Sequence, residues 1–284
     1  MIDYDARAWL PILLQVRGSV VPRLLLRIAI AAAIGVVAVL LLEHRGVKIP
    51  TLAHTLVGVA LGLLLVFRTN ASYDRYWEGR RLIGLIVNRS RDLARQVAAY
   101  LDDAEARAAF RRLIPAFYWL AAQGLRRRTE LGPAEHLLTA EQRSALDGVT
   151  FRAPLATRWM TELLRGEAGA GRLGEQRLML LDANLTSFND SLGGAERILK
   201  TPIPFAYAQH IKLFVVLFCF TAPFAMAEIM GWATPVASGL LALALFGVDE
   251  IGVEIEDPFG DDPNDLPLDA IGEGIEAAVG ELLR

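Results

Sequence analysis

Sulfur and lysine are scarce in this 284-residue chain, which has one cysteine, Cys219, and three lysines against 26 arginines. A lone thiol excludes a disulfide framework within the chain. It also excludes a cysteine-built metal site, which needs several thiolates. Enzyme signatures are missing as well. There is no HExxH metalloprotease helix, no GxxxxGKS/T phosphate loop and no GxSxG nucleophile turn, and His44, His54, His136 and His210 are scattered. With no nucleophile–base or metal constellation, the chain reads as a non-enzyme. Neither an alternating strand pattern nor an internal repeat is present, which leaves an all-α reading. Nucleic acid is excluded as a partner. The thirteen arginines between Arg68 and Arg128 are interleaved with six acids, and no nucleic-acid module accompanies them.

Apolar residues are abundant: 54% of the chain is hydrophobic and 21% is charged. They gather in four runs, Leu24 to Leu42, Thr51 to Phe67, Leu213 to Ala227 and Trp232 to Val248. Each is near the length that crosses a hydrocarbon core of about 30 Å. The spacing predicts four membrane spans, with the lipid bilayer as a partner. Arg7, Arg17 and Arg23 precede the first run, and Arg68, Arg75, Arg80 and Arg81 follow the second, whereas the connector after the third carries no base. The positive-inside rule then puts both termini and the long middle region in the cytosol. The expected divisions are residues 1–23, an N-terminal segment; 24–67, a first helix pair; 68–212, a helical cytosolic domain; 213–248, a second pair; and 249–284, an acidic tail segment.

Within the middle region, Leu82, Leu85, Ile86, Leu93 and Val97 recur near the helical period, predicting a helix over Arg80 to Leu101. Phe110 to Leu125 reads as a second helix with Pro115 as a kink, and Leu178 to Leu199 as a third. Gly166 to Glu175 reads as a hinge or loop. The acidic end, Asp249 to Arg284, holds twelve acids against one base, and its prolines forbid a regular helix through Pro258 to Pro267.

Four features of the spans carry chemistry. Thr51, Thr55, Gly58 and Gly62 form a small-residue stripe suited to close helix packing. Leu52, Leu56, Ala60 and Leu64 form another, which serves either as packing or as a water-facing hydrophobic constriction that gates by dewetting. Arg27, one turn inside its span, reads as snorkelling to the interface. His54 reads as a polar lining or as a hydrogen-bonded packing group.

Two long stretches are more specific. Phe67-Arg-Thr-Asn-Ala-Ser-Tyr-Asp-Arg-Tyr-Trp-Glu-Gly-Arg-Arg-Leu-Ile-Gly follows the second span, and Val248-Asp-Glu-Ile-Gly-Val-Glu-Ile-Glu-Asp-Pro-Phe-Gly-Asp-Asp-Pro-Asn-Asp-Leu-Pro-Leu follows the fourth. With Arg17-Gly-Ser and Pro202-Ile-Pro-Phe-Ala-Tyr, they resemble the prokaryotic branch of the bestrophin family over nearly the whole chain.

The resemblance implies a homopentameric channel in the cell membrane that passively conducts small monovalent anions such as chloride. A monovalent cation channel of the same fold is the alternative, and a non-conducting scaffold or receptor the more distant one. By position, the resemblance puts a hydrophobic neck at Leu52, Leu56 and Ala60, with Leu64 next. It puts a cytosolic aperture at Gln176, with Leu173 and Arg177 as neighbours. Ala60 departs from the family's bulkier residues. No cofactor is required. The matching positions of the animal family's calcium clasp are the carbonyls of Glu254 and Asp257, the carboxylates of Asp262 and Asp265, and a carbonyl near Ile2 from a neighbouring subunit. Hard oxygen donors of that kind suit calcium.

Overall fold

In the computed structural model, which describes every residue except 1, 3 and 48, the apolar runs become helices longer than the runs themselves. Lys48, part of the connector after the first run, lies outside the described residues. α1 is Trp9–Leu14, α2 Val21–Arg45, α3 Thr51–Tyr100, α4 Ala104–Leu125, α5 Ala140–Ala145, α6 Ala153–Gly169 and α7 Glu175–Lys200. α8 is Phe205–Met230, α9 Thr234–Glu254 and α10 Leu268–Leu282. Short 3-10 turns occupy Gly132–Leu137 and Gly231–Ala233, and no strand occurs among the described residues.

The chain forms two compact units. The first comprises Met1–Tyr76, Pro202–Asp257 and Asp262–Asn264. Here α2, α8 and α9 pack on one another. Small residues set the spacing: a Cβ added at Gly35 of α2 would lie 2.7 Å from the Pro235 Cα of α9, so the backbones meet as they do in lipid-embedded helix pairs. Leu24, Ala31, Leu61, Leu65, Ile211, Val215, Cys219, Ala242 and Phe246 form the buried cluster. Many large apolar side chains, Leu25, Leu26, Val37, Leu213 and Leu240 among them, nevertheless remain exposed. An apolar surface of that extent requires a non-aqueous neighbour.

Three helical segments among the described residues are long and apolar enough to cross a membrane: Val21–Arg45, His54–Tyr100 and Phe205–Glu254. The third contains both α8 and α9, joined through Gly231, whose φ of 50° opens the 3-10 turn.

The second unit comprises Trp77–Thr201, Pro258–Asp261 and Asp265–Arg284. It is built around α4, capped by the Asp103 carboxylate accepting from the Ala106 amide at 2.8 Å. Residues 113 to 123 of that helix are all buried, Pro115 included. This is the pattern of a helix surrounded by others. Phe117 stacks on Phe188 of α7 with centroids 4.7 Å apart. α10 lies on α4 where Gly272 meets the Trp119 ring, so closely that an added Cβ would sit 2.4 Å from it.

The structure changes three expectations. The second apolar run and the expected Arg80–Leu101 helix are one 50-residue helix, α3, because residues 68 to 79 hold no proline to break it. Gly166 to Gly169, expected in a loop, belong to α6. α10 was not anticipated; its buried Leu268, Gly272, Ile275 and Val279 recur at helical spacing.

Candidate ion pathway and charged collar

The first half of α3 has two unlike faces. Leu61 and Leu65 are 1% and 3% exposed and lie in the buried cluster. Leu52 and Leu56 are 72% and 65% exposed, and Ala60 is exposed as well. Leu64 leaves this stripe: it is half-buried against the cluster. Each four-residue step drifts about 40° around an α-helix, so the fourth member rotates inward. Leu63 and Phe67 continue the exposed face instead.

His54 is a hydrogen-bonded packing group. Its Nε2 lies 2.9 Å from the Thr221 Oγ1 of α8, its ring rests tilted against Phe218, and its buried Nδ1 has no partner among the described residues. Of the small-residue stripe, Gly58 is in use, because an added Cβ would meet the Phe218 ring at 3.0 Å. Gly62 has nothing within 4 Å of that position among the described residues.

Four carboxylates crowd the C-terminal end of α9 and the turn after it, where the helix dipole disfavours negative charge. Each is met by a cation from another part of the same unit. Asp249 pairs with Lys212 of α8 at 2.7 Å and Glu250 with Arg27 of α2 at 3.0 Å. Glu254 pairs with Arg23 at 3.0 Å, and Glu256 with Arg68 of α3 at 2.7 Å. Together they form a collar that ties α9 to three helices. The Arg27 guanidinium also lies over the Phe246 ring, 5.5 Å from its centroid. Arg27 is thus an ion-paired and ring-stacked group. Its neutralising partner is 223 residues away in the chain.

The aperture positions separate by burial. Gln176 and Arg177 lie exposed in the first turn of α7, and Arg177 covers the Tyr100 ring at 5.4 Å. Leu173 is buried. Much of the arginine charge in the second unit is already paired. Arg126 grips Asp269 through two hydrogen bonds of 2.6 and 3.0 Å and approaches Asp261 at 3.2 Å. That grip holds the Asp269 carboxyl below the usual carboxylate range and raises the guanidinium in turn. Burial pushes the Tyr118 hydroxyl up, and the hydroxyl donates to the Leu268 carbonyl at 2.7 Å.

The calcium positions have other partners. Glu254 accepts from Arg23 on one oxygen and from the Asn264 amide, at 2.6 Å, on the other. Asp262 lies 3.9 Å from the same Arg23 guanidinium. Asp265 is buried, Asp257 has interactions of its own, and Ile2 packs beside Gly18. Among the described residues, no three His, Cys, Asp or Glu side chains converge as metal ligands. Arg23 thus lies between the Glu254 and Asp262 side chains.

Sequence reasoning missed the collar. Its signal was available only as a balance: acids at the end of one apolar run, and bases at the edges of three others.

Comparison with known proteins agrees with this architecture. The family model of the bacterial/fungal bestrophin proteins matches residues 1–281. A voltage-dependent anion channel-forming protein of Nostoc is 38% identical over 280 residues, covering 96% of this chain and 91% of that protein. The voltage-dependent anion channel-forming protein YneE of Escherichia coli is 33% identical over 279 residues, covering 97% and 92%. The crystal structure of a bacterial bestrophin homologue from Klebsiella pneumoniae superposes with a TM-score of 0.87 at 28% identity, over 91% of this chain and 97% of that one. With a match running almost end to end, the chain belongs to the bacterial and fungal bestrophin family.

Proposed function

We propose that this chain assembles as a homopentameric channel, four spans to a subunit, that passively conducts small monovalent anions, chloride among them, across the cell membrane. The relatives named as anion channel-forming proteins support the reading. The observation that carries it is the exposed leucine stripe of α3, Leu52 and Leu56 with Ala60 beyond. A four-helix subunit is too small to enclose a path, so conduction requires several copies to bring their stripes around one axis. The spans would be α2, the first half of α3, α8 and α9, with both termini in the cytosol.

The neck at Leu52, Leu56 and Ala60 would act by excluding water. An ion crosses an apolar ring only when the ring widens or wets, so gating needs no charged gate. Ala60 removes bulk at the third level, which leaves Leu52 and Leu56 to set the barrier. At the cytosolic aperture, the exposed Gln176 and Arg177 would meet the ion, Arg177 with a positive charge. The collar weighs against cation conduction, because Asp249, Glu250, Glu254 and Glu256 are each neutralised by a basic partner.

The test is the reversal potential of the purified protein in a planar bilayer across a tenfold KCl gradient. Reversal near the chloride equilibrium potential upholds the reading, and reversal near the potassium potential replaces it with a cation channel. Silence from assembled protein leaves a scaffold. Leu52→Ala with Leu56→Ala should raise the conductance several-fold; unchanged current would remove the neck from these residues.

A further inference from the structure

Among the described residues, Arg68 is the largest fully buried side chain. It sits on α3 one turn beyond Leu64, where that helix leaves its apolar half. A buried guanidinium is tolerated only when its charge and donors are met. Its Nη2 donates to Glu256 Oε2 at 2.7 Å and its Nη1 to the Ser72 hydroxyl. Gly252 of α9 leaves room for it: a Cβ there would meet the Arg68 Cγ at 3.8 Å.

The second oxygen of Glu256 is also in use. Oε1 accepts the Ile203 amide at 2.8 Å. Ile203 stands between Pro202 and Pro204, neither of which has an N–H. It is therefore the single amide donor of the turn that leads into α8. The backbone carbonyl of Glu256 in turn accepts from Arg75 Nε of α3 at 3.2 Å. One residue after α9 thus holds α3 at two points seven residues apart and the entry of α8 at a third.

Proline on both sides explains why this geometry persists. The two rings fix the turn and leave the Ile203 amide as its one donor. The carboxylate is matched in length to reach a helix on one side and an amide on the other.

We propose that Glu256 is a positioning residue for the ion pathway: its carboxylate clamps the end of α3's apolar half, through Arg68, to the Pro202–Ile203–Pro204 turn and keeps the leucine neck in its resting pose. The role of the neck in this statement rests on the function proposed above; the clamp itself rests on the contacts. Glu256→Gln keeps an acceptor for Ile203 but removes the charge opposite Arg68. Glu256→Asp keeps the charge but is one methylene too short to span both partners.

Single-channel recording of the full-length variants in planar bilayers tests the coupling. A several-fold rise in open probability is expected, with unitary current and reversal potential unchanged. Wild-type open probability, or a fall in it, overturns the resting-pose role. An altered unitary current overturns it too, because Glu256 would then act on the ion directly. Amide hydrogen exchange on the same assembled proteins reads the clamp without any current. In Glu256→Asp, faster exchange at Ile203 and over residues 65–72, with α10 unchanged, upholds it; exchange equal to wild type overturns it. If the wild-type protein carries no current, the conduction reading fails alone and the exchange result still decides the clamp.

Discussion

The two halves of α3 obey opposite rules. From Leu52 to Phe67 the exposed face is leucine, valine and phenylalanine. From Ile83 to Val97 the buried face is Ile83, Ile86, Leu93, Ala94 and Val97, while Arg81, Arg91 and Arg95 are exposed. The backbone is the same helix throughout, so the difference lies in the surroundings. In water, apolar side chains turn inward because burial removes them from solvent. In lipid that force vanishes, and close packing and polar pairing hold the helices together instead. Within one element, the leucine face of the first half is exposed on the chain, whereas the leucine face of the second half is a core.

The largest expected effect separates these two kinds of leucine. Leu93→Ala should lower stability by about 2–5 kcal/mol, as cavity-forming substitutions in a close-packed core do. Leu56→Ala should change it by about 0.5 kcal/mol or less, as at other exposed sites, and alter conductance instead. Chemical denaturation of the two variants side by side checks this, and an equal loss would erase the contrast between the halves.

Gly35→Val probes how the apolar helices cohere. The new side chain must enter where a Cβ already meets backbone at 2.7 Å, so α2 and α9 are forced apart. The cost should be about 1–3 kcal/mol, the range for overpacking. Thermal unfolding in detergent would show it, and a neutral result would mean that the two helices are not tightly seated.

The smallest effect belongs to the second unit. Arg126 holds the Asp269 carboxyl below its ordinary value in the folded chain. The unfolded chain therefore binds that proton more readily, and the pair stabilises the fold above about pH 4, losing the contribution as pH falls through the lowered folded value. Asp269 is largely exposed, so screening keeps the contribution under about 1 kcal/mol. Asp269→Asn should be slightly less stable than wild type at pH 7 and indistinguishable from it in strong acid. A difference that persists in acid would mean that the interaction is not one of charge.

The legible parts of the fold share one physical basis: a strong local period. The apolar runs within α2, α3, α8 and α9 announced themselves by length, and α4 and α7 by their spacing. Two long motifs placed the family. What stayed hidden depended on partners distant in sequence. α10 escaped notice because its buried face, Leu268, Gly272, Ile275 and Val279, includes a glycine whose value appears only beside Trp119. Leu64 looked like part of the stripe because a four-residue step nearly closes a helical turn. Its burial depends on which neighbours occupy the side toward which it drifts. The Arg27–Glu250 pair stayed hidden because spacing cannot associate two residues that far apart in the chain. That Arg23 reaches both Glu254 and Asp262 was equally invisible in the sequence.

The sequence by itself determined that this chain is helical, that it holds long apolar segments suited to a membrane, and to which family it belongs. Those properties reside in composition, period and motif, which are local. Only the tertiary structure decided which charges cancel, which glycines bear on a neighbouring ring or backbone, and that Glu256 joins Arg68 to Ile203. A charge pair is a matter of a few ångströms, and residues 53 and 188 positions away reach that distance only once the helices have packed.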